Sequence, residues 1–185
     1  MVAMRSKAAL FPTLLASVDW PQLAPPVRRM HAEGNLVRAS GIADVAGETH
    51  PVARWLRRLL SLPDPGAGQA ITVSIERHAN HEHWSRLFPG GHMQSTLRAG
   101  GNGQLHERLG PVTVHFTLHR DGDAIDWRLR GVRLFGLPLP LALCGTISSR
   151  SGMRDGHYAF DIDVRLPLVG RLVAYRGWLE IDHVA

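Results

Sequence analysis

"AITVSIERHANHEHWSRLFPGGHMQSTLRAGGNGQLHERLGPVTVHFTLHR", residues 70 to 120, alternates apolar and polar side chains and is cut every few residues by a polar, glycine-rich turn. Period two means that successive side chains point to opposite faces, so each run reads as a half-buried β-strand. The turns "HANHE", "PGG" and "AGGNG" are too short for parallel crossovers, which need a dozen or more residues. An antiparallel meander follows. Working outward, "DAIDWRLRGVRLF" (123–135), "LCGTISSR" (143–150), "HYAFDIDVRL" (157–166) and "GRLVAYRGWLEI" (170–181) continue the pattern, joined through "RDGD" and "RDGH". "NLVRASGIADV" (35–45) precedes it as a first strand, with Gly41 predicting a bend or bulge.

About ten strands in a flat open sheet would expose edges and tend to curl, so closure or near-closure is the simplest solution. The predicted fold is mainly β (α+β): a strongly curved antiparallel meander of about ten strands, forming a lipocalin-like or fatty-acid-binding-like barrel or half-barrel. N-terminal helices precede it and one helix is inserted after the first strand. We read a single domain over 1–185, with N-terminal helices in 1–32, the inserted helix at 51–63 and the meander at 70–182. The early helices "AALFPTLLASV" and "PPVRRMHA" should dock through Leu14, Leu15, Val27 and Met30. In "PVARWLRRLLSLP", Val52, Trp55, Leu56, Leu59 and Leu60 form an apolar stripe, with Arg54, Arg57 and Arg58 off it. The expected role is a cap packed by that stripe. The alternative partner is an anionic membrane surface under the basic face.

At 185 residues, 44% hydrophobic and 20% charged, the chain has ordinary globular composition. Its net charge of +5 invites a nucleic-acid reading. However, every basic residue except Lys7 is an arginine, the arginines are scattered, and no stacking or zinc-finger signature accompanies them, so no nucleic-acid partner is expected. The start places Arg5 and Lys7 before an apolar stretch, but Pro12 interrupts it and no small-x-small cleavage site follows. The longest apolar run, "LFGLPLPLALCG" (134–145), holds two prolines and falls short of the ~20 residues of a spanning helix. We expect a soluble, cytoplasmic protein. The lone Cys144 excludes an intrachain disulfide.

Few motifs carry chemistry. His78, His81 and His83 have the residue types of a metal site, but they fall in a predicted turn without a fourth ligand, so no metal is expected. Ser95 and Cys144 lack a nucleophile elbow or a recognisable histidine and acid, and no catalytic residue is assigned. "AGGNGQ" precedes no helix and reads as a turn rather than a phosphate cradle. No glycine-rich nucleotide fingerprint is present, and no cofactor is assigned.

Two charges break the strand pattern. Arg86 sits between Trp84 and Phe88, and Glu107 between Leu105 and Leu109, each on an otherwise apolar face. Charges so placed are rarely buried unless paired, and the two predict each other as partners inside the barrel. Tyr158, Phe160, Ile162 and Val164 share a face, and Tyr175 lies opposite Trp178, so at most one of those two points inward. The candidate ligand-binding residues are therefore Arg86, Glu107, Trp84, His92 and Tyr175.

Trp84-Ser85-Arg86-Leu87-Phe88, Ser95, Leu105-His106-Glu107-Arg108-Leu109-Gly110-Pro111, Gly136-Leu137-Pro138-Leu139-Pro140, Phe160-Asp161 and "PLVGRLVAYRGWL" (167–179) together resemble the bacterial domain of unknown function 4166 family. "LFPTLL" and "VRRMHA" are similar to that family's start. The resemblance implies no agreed activity. It does imply a domain found free-standing or fused to saccharopine-dehydrogenase-like or short-chain-dehydrogenase-like proteins, hence an oxidoreductase partner. Two functions are expected: non-enzymatic binding of a small, largely apolar ligand in the barrel cavity, or an accessory domain of an oxidoreductase system with the barrel filled by side chains.

Overall fold

The computed structural model describes residues 9–185. Arg5, Lys7 and the beginning of the segment 1–32 lie outside the described residues. Helix α1 (Leu10–Leu14), one 3₁₀ turn (Trp20–Gln22) and helix α2 (Pro25–Ala32) lead into strand β1 (Leu36–Ala46). Helix α3 (Pro51–Leu59) separates it from β2 (Gly66–Arg77), β3 (Glu82–Phe88), β4 (Gly91–Ala99), β5 (Gln104–Leu109), β6 (Val112–Asp121) and β7 (Ala124–Leu134). A two-residue β8 (Leu137–Pro138), helix α4 (Leu141–Cys144), β9 (Thr146–Arg154), β10 (His157–Leu166) and β11 (Gly170–Val184) complete the order.

Every neighbouring pair is antiparallel. Strands β1 to β7 follow one another around the sheet, β7 pairs with β9, and β11 returns to β1. The result is a closed ten-stranded barrel with β8 outside it on β7. Closure removes the exposed edges that an open meander would present. Because the strands alternate in direction, the connections sort to two ends. One end receives α1, α2 and the turns at 78–81, 100–103, 122–123 and 155–156, and the other receives α3, α4 and the turns at 110–111, 135–136 and 167–169.

Alternation places Ile71, Val73 and Ile75 of β2, Met93 and Leu97 of β4, Val114, Phe116 and Leu118 of β6, and Tyr158 and Phe160 of β10 in the interior. Leu15, Val27 and Met30 of the N-terminal segment are buried against them, with Leu14 partly so. The first end is therefore stoppered by the early helices.

Gly41 makes neither bend nor bulge. The β1 register shifts at Arg38/Ala39 against β11 and at Ala43/Val45 against β2, not at Gly41. What Gly41 supplies is room: a Cβ there would lie 2.0 Å from the Trp178 carbonyl oxygen, and one on Gly177 would lie 2.0 Å from that of Ile42. The two glycines let β1 and β11 approach where the barrel closes.

The orientation of α3 corrects the expectation from its sequence. Val52, Trp55 and Leu59 of the apolar stripe are exposed, Leu56 and Leu60 are half-buried, and the fully buried members of the helix are Ala53 and Arg57. Arg57 donates from Nη1 to the carbonyls of Glu48 (2.8 Å) and Leu172 (3.1 Å). His50 caps the helix by accepting from the Ala53 N–H at Nδ1 (3.4 Å), and its Nε2 meets the Val169 carbonyl at 2.9 Å. Strand ends at the barrel rim leave carbonyls that need donors, and an unpaired buried carbonyl costs about 1–3 kcal/mol. Arginine satisfies two of them at once, so the helix turns its guanidinium inward and leaves half its stripe outside.

Candidate functional site

Between the stoppered end and α3 lies a cavity of about 320 Å³. Its wall is mostly apolar, from Ile71, Val73, Val114, Phe116, Ile162 and Val173 among others, and its mouth is framed by Leu56 and Leu60 of α3, Leu139 and Leu143 around α4, and Leu166 and Leu172 of β10 and β11.

Into this wall the sheet projects Arg86 from β3 and Glu107 from β5, two strands apart. Arg86 Nη2 donates to Glu107 Oε1 at 3.2 Å, with side chains 9% and 12% exposed. Ser95, on the intervening β4, completes the group: Arg86 Nη1 donates to Ser95 Oγ at 3.0 Å and Ser95 Oγ donates to Glu107 Oε1 at 2.7 Å. Glu107 Oε2 has no hydrogen-bond partner among the described residues. The Arg86 guanidinium carbon also stands 4.9 Å from the centre of the Trp84 ring, a cation–π contact. Burial opposes the Arg86 charge, but the surrounding groups, with the Glu107 carboxylate in direct contact, offset it and hold the guanidinium above its ordinary pKa. The sequence brings these charges together because each occupies the inward parity of its strand.

Tyr175 lines the same cavity, packed edge-on against Phe88 (5.8 Å between rings) and near Phe160 (5.9 Å). Burial raises its hydroxyl pKa, so it remains a neutral donor. Trp178 points outward against His157, 4.9 Å away. His92 does not join the group. It lies on the outer face, where its Nε2 meets Ser85 Oγ at 2.6 Å, because it has the parity of Gln94 and not that of Met93 and Ser95.

The cavity floor is aromatic. Trp84, Trp127 and Phe11 surround His31, whose ring lies 3.9 Å from that of Phe11 and stacks on Trp84 at 5.6 Å. Tyr158 donates to Ser151 Oγ (2.9 Å), which leaves its oxygen to accept from His31 Nε2 (3.2 Å). Burial first, then Arg77 and Arg86, lower the His31 pKa well below its usual value, so this imidazole is neutral. Burial likewise pushes Tyr158 up to about 12. The Trp127 indole N–H, also in the cavity lining, is buried without a hydrogen-bond partner among the described residues.

Beneath the floor lies a second buried ion pair that the sequence reading overlooked. Arg77 Nε and Glu82 Oε1 are 3.3 Å apart, each side chain 2% exposed. Arg77 also donates to the carbonyls of Met30 (2.7 Å) and Gly34 (2.9 Å) at the end of α2, while Glu82 accepts from the Trp84 indole (2.9 Å) and the Leu10 N–H (3.3 Å). The signal was present: Arg77 follows Ile71, Val73 and Ile75 at the same parity, as Glu82 does with Trp84 and Phe88. His78 and His81 stack at 4.5 Å across the turn, and His83 sits at the outward parity of β3, opposite Glu76 and Thr96.

A family model described as Domain of unknown function (DUF4166) matches residues 23–179, most of the chain. No curated protein matches it.

Proposed function

This chain belongs to the DUF4166 family, and we propose that it is a non-enzymatic binding module whose barrel holds a small, largely apolar ligand by a polar head group. The observation that carries this reading is an apolar cavity of about 320 Å³ with one charged pair, Arg86 and Glu107, in its wall. Ligand sites of roughly 300–1,000 Å³ combine an apolar lining with a few placed polar groups, and this volume lies at the small end. The pair also suggests the ligand's chemistry. Its charges cancel, Glu107 Oε2 can still accept, and Tyr175 and the Trp127 indole can donate. A neutral head that both donates and accepts, such as a hydroxyl or amide, suits this set. An ionised carboxylate would meet the Glu107 charge.

Native mass spectrometry of the purified protein, followed by titration with a neutral naphthylamine probe, tests the reading. One ligand or probe per chain is expected, and Val164→Phe, which fills the cavity, should weaken probe binding about tenfold or more. If nothing is retained and Val164→Phe changes nothing, the barrel is not a binding site. A filled barrel serving only as an interaction domain of an oxidoreductase system would give that second result.

A further inference from the structure

The two ends of the barrel differ in what they show to solvent. Among the described residues thirteen large apolar side chains are exposed, and nine of them lie at the α3 and α4 end: three on α3, three across β7 and β8, two on α4, and Leu168 in the β10 to β11 turn. Trp55, Phe135, Leu137 and Leu141 are each more than 60% exposed, and Leu168 is wholly so. They stand around one rim, since Leu143 itself and the neighbours Leu56 and Leu60 on α3 and Leu166 on β10 line the same cavity. Exposed apolar side chains concentrated at one end in this way mark an interaction site.

The charges at this end select the partner. Arg54, Arg58, Arg108 and Arg133 are exposed and have no ion-pair partner among the described residues, whereas the carboxylates of Asp64 and Asp163 are engaged by Arg57 and by Arg165 and Arg171. Among the described residues, three exposed carboxylates stand there outside an ion pair: Asp44, Glu48 and Asp161, the last level with Asp44 on the far side of Arg176. We propose that this end of the barrel docks on an anionic membrane surface, with the Trp55, Leu59, Phe135, Leu137, Leu141 and Leu168 side chains in the interface and the unpaired arginines at the headgroups. Tryptophan and leucine interleaved with arginine are what an interfacial helix requires, and α3 presents them because the inward turn of Arg57 leaves Val52, Trp55 and Leu59 outside. The cavity then opens toward the bilayer. Docking needs no ligand in the barrel and stands apart from the binding function proposed above.

Co-sedimentation with phosphatidylcholine vesicles, with and without phosphatidylglycerol, tests the proposal. Retention is expected on the anionic vesicles at low salt and is lost at high salt. The exposed positions permit Trp55→Ser with Phe135→Ser, which should lower affinity by roughly tenfold or more. Arg54→Gln and Arg58→Gln should each cost about fivefold. No retention on anionic vesicles, or retention that neither set of substitutions weakens, overturns the proposal. So does a wild-type dimer that Trp55→Ser with Phe135→Ser returns to monomer while vesicles are ignored, since the face would then belong to a second copy. The doubly substituted protein keeps its affinity for the naphthylamine probe if the cavity binds ligand, so failure of docking and failure of the binding function are told apart.

Discussion

Arg77 and Glu82 face each other at 3.3 Å across the β2–β3 hairpin with 2% of each side chain exposed, and through them the hairpin grips both early helices. The arginine closes the carbonyl end of α2, and the carboxylate takes the first N–H of α1. One ion pair thus fixes the stopper in the barrel.

Removing one partner of such a pair leaves the other charged and buried, which typically costs about 3–5 kcal/mol. Arg77→Met should lie at the upper end of this range and exceed Glu82→Gln, because it also strands the carbonyls of Met30 and Gly34. Urea denaturation of the two variants checks the order. Equal losses would mean that the arginine's backbone contacts contribute nothing.

The Arg86 and Glu107 pair is tested by a cycle. Arg86→Met, Glu107→Gln and the double substitution should be non-additive, with a coupling of about 1–3 kcal/mol. Thermal melts of the three proteins give the answer. Simple addition would mean that the 3.2 Å contact has no energetic content.

Acid should destabilise the fold through His31. Its folded pKa is lowered, so above the unfolded value of about 6.5 both states hold the ring neutral and it adds no pH dependence. As pH falls below that value the unfolded chain binds a proton that the folded chain refuses, and stability drops by up to ~1.4 kcal/mol per pH unit. His106, His115 and His119, whose pKa values are also lowered, act in the same direction. Denaturation at several pH values between neutral and mildly acid should show this slope, and His31→Phe should flatten it. An unchanged slope assigns the effect elsewhere.

Gly41→Ala and Gly177→Ala should each be severe, costing about 3 kcal/mol or more, because the new methyl meets a backbone carbonyl that cannot move without opening the β1–β11 seam. Gly131→Ala, with nothing within 4 Å of its added methyl and no positive φ, serves as the control and should be close to neutral. Circular dichroism melts separate the three.

Strand parity made most of this legible in the sequence. It sorted Tyr175 from Trp178 and exposed Arg86 and Glu107 as intruders on apolar faces, because in a barrel one parity is inside and the other outside at every strand. The same rule places His92 outside, where chemical type alone had suggested a site residue. It fails for α3, since a helix over a barrel rim answers to the carbonyls beneath it as well as to its own apolar stripe. Glu48 and Leu172 supply those carbonyls, and they are distant from one another in sequence, so no local pattern announces that Arg57 will turn inward. Ser95 was visible only as a serine, because its role depends on the two strands flanking it.

The seam between β1 and β11 also bears on how the chain reaches its fold. Most pairings in the barrel join consecutive strands and form as local hairpins, but Val37 pairs with Val184 and the Ala185 N–H donates to the Leu36 carbonyl at 2.9 Å, uniting segments separated by nearly the whole chain. Contacts of such long sequence separation slow folding, because the loop must lose its entropy before the pairing rewards it. Until β11 arrives, β1 and β10 each carry an unsatisfied edge, and a ribosome-bound or partly folded chain is open to pairing with another molecule there. Refolding yield should therefore fall as protein concentration rises, and the final strand governs whether the product is a barrel or an aggregate.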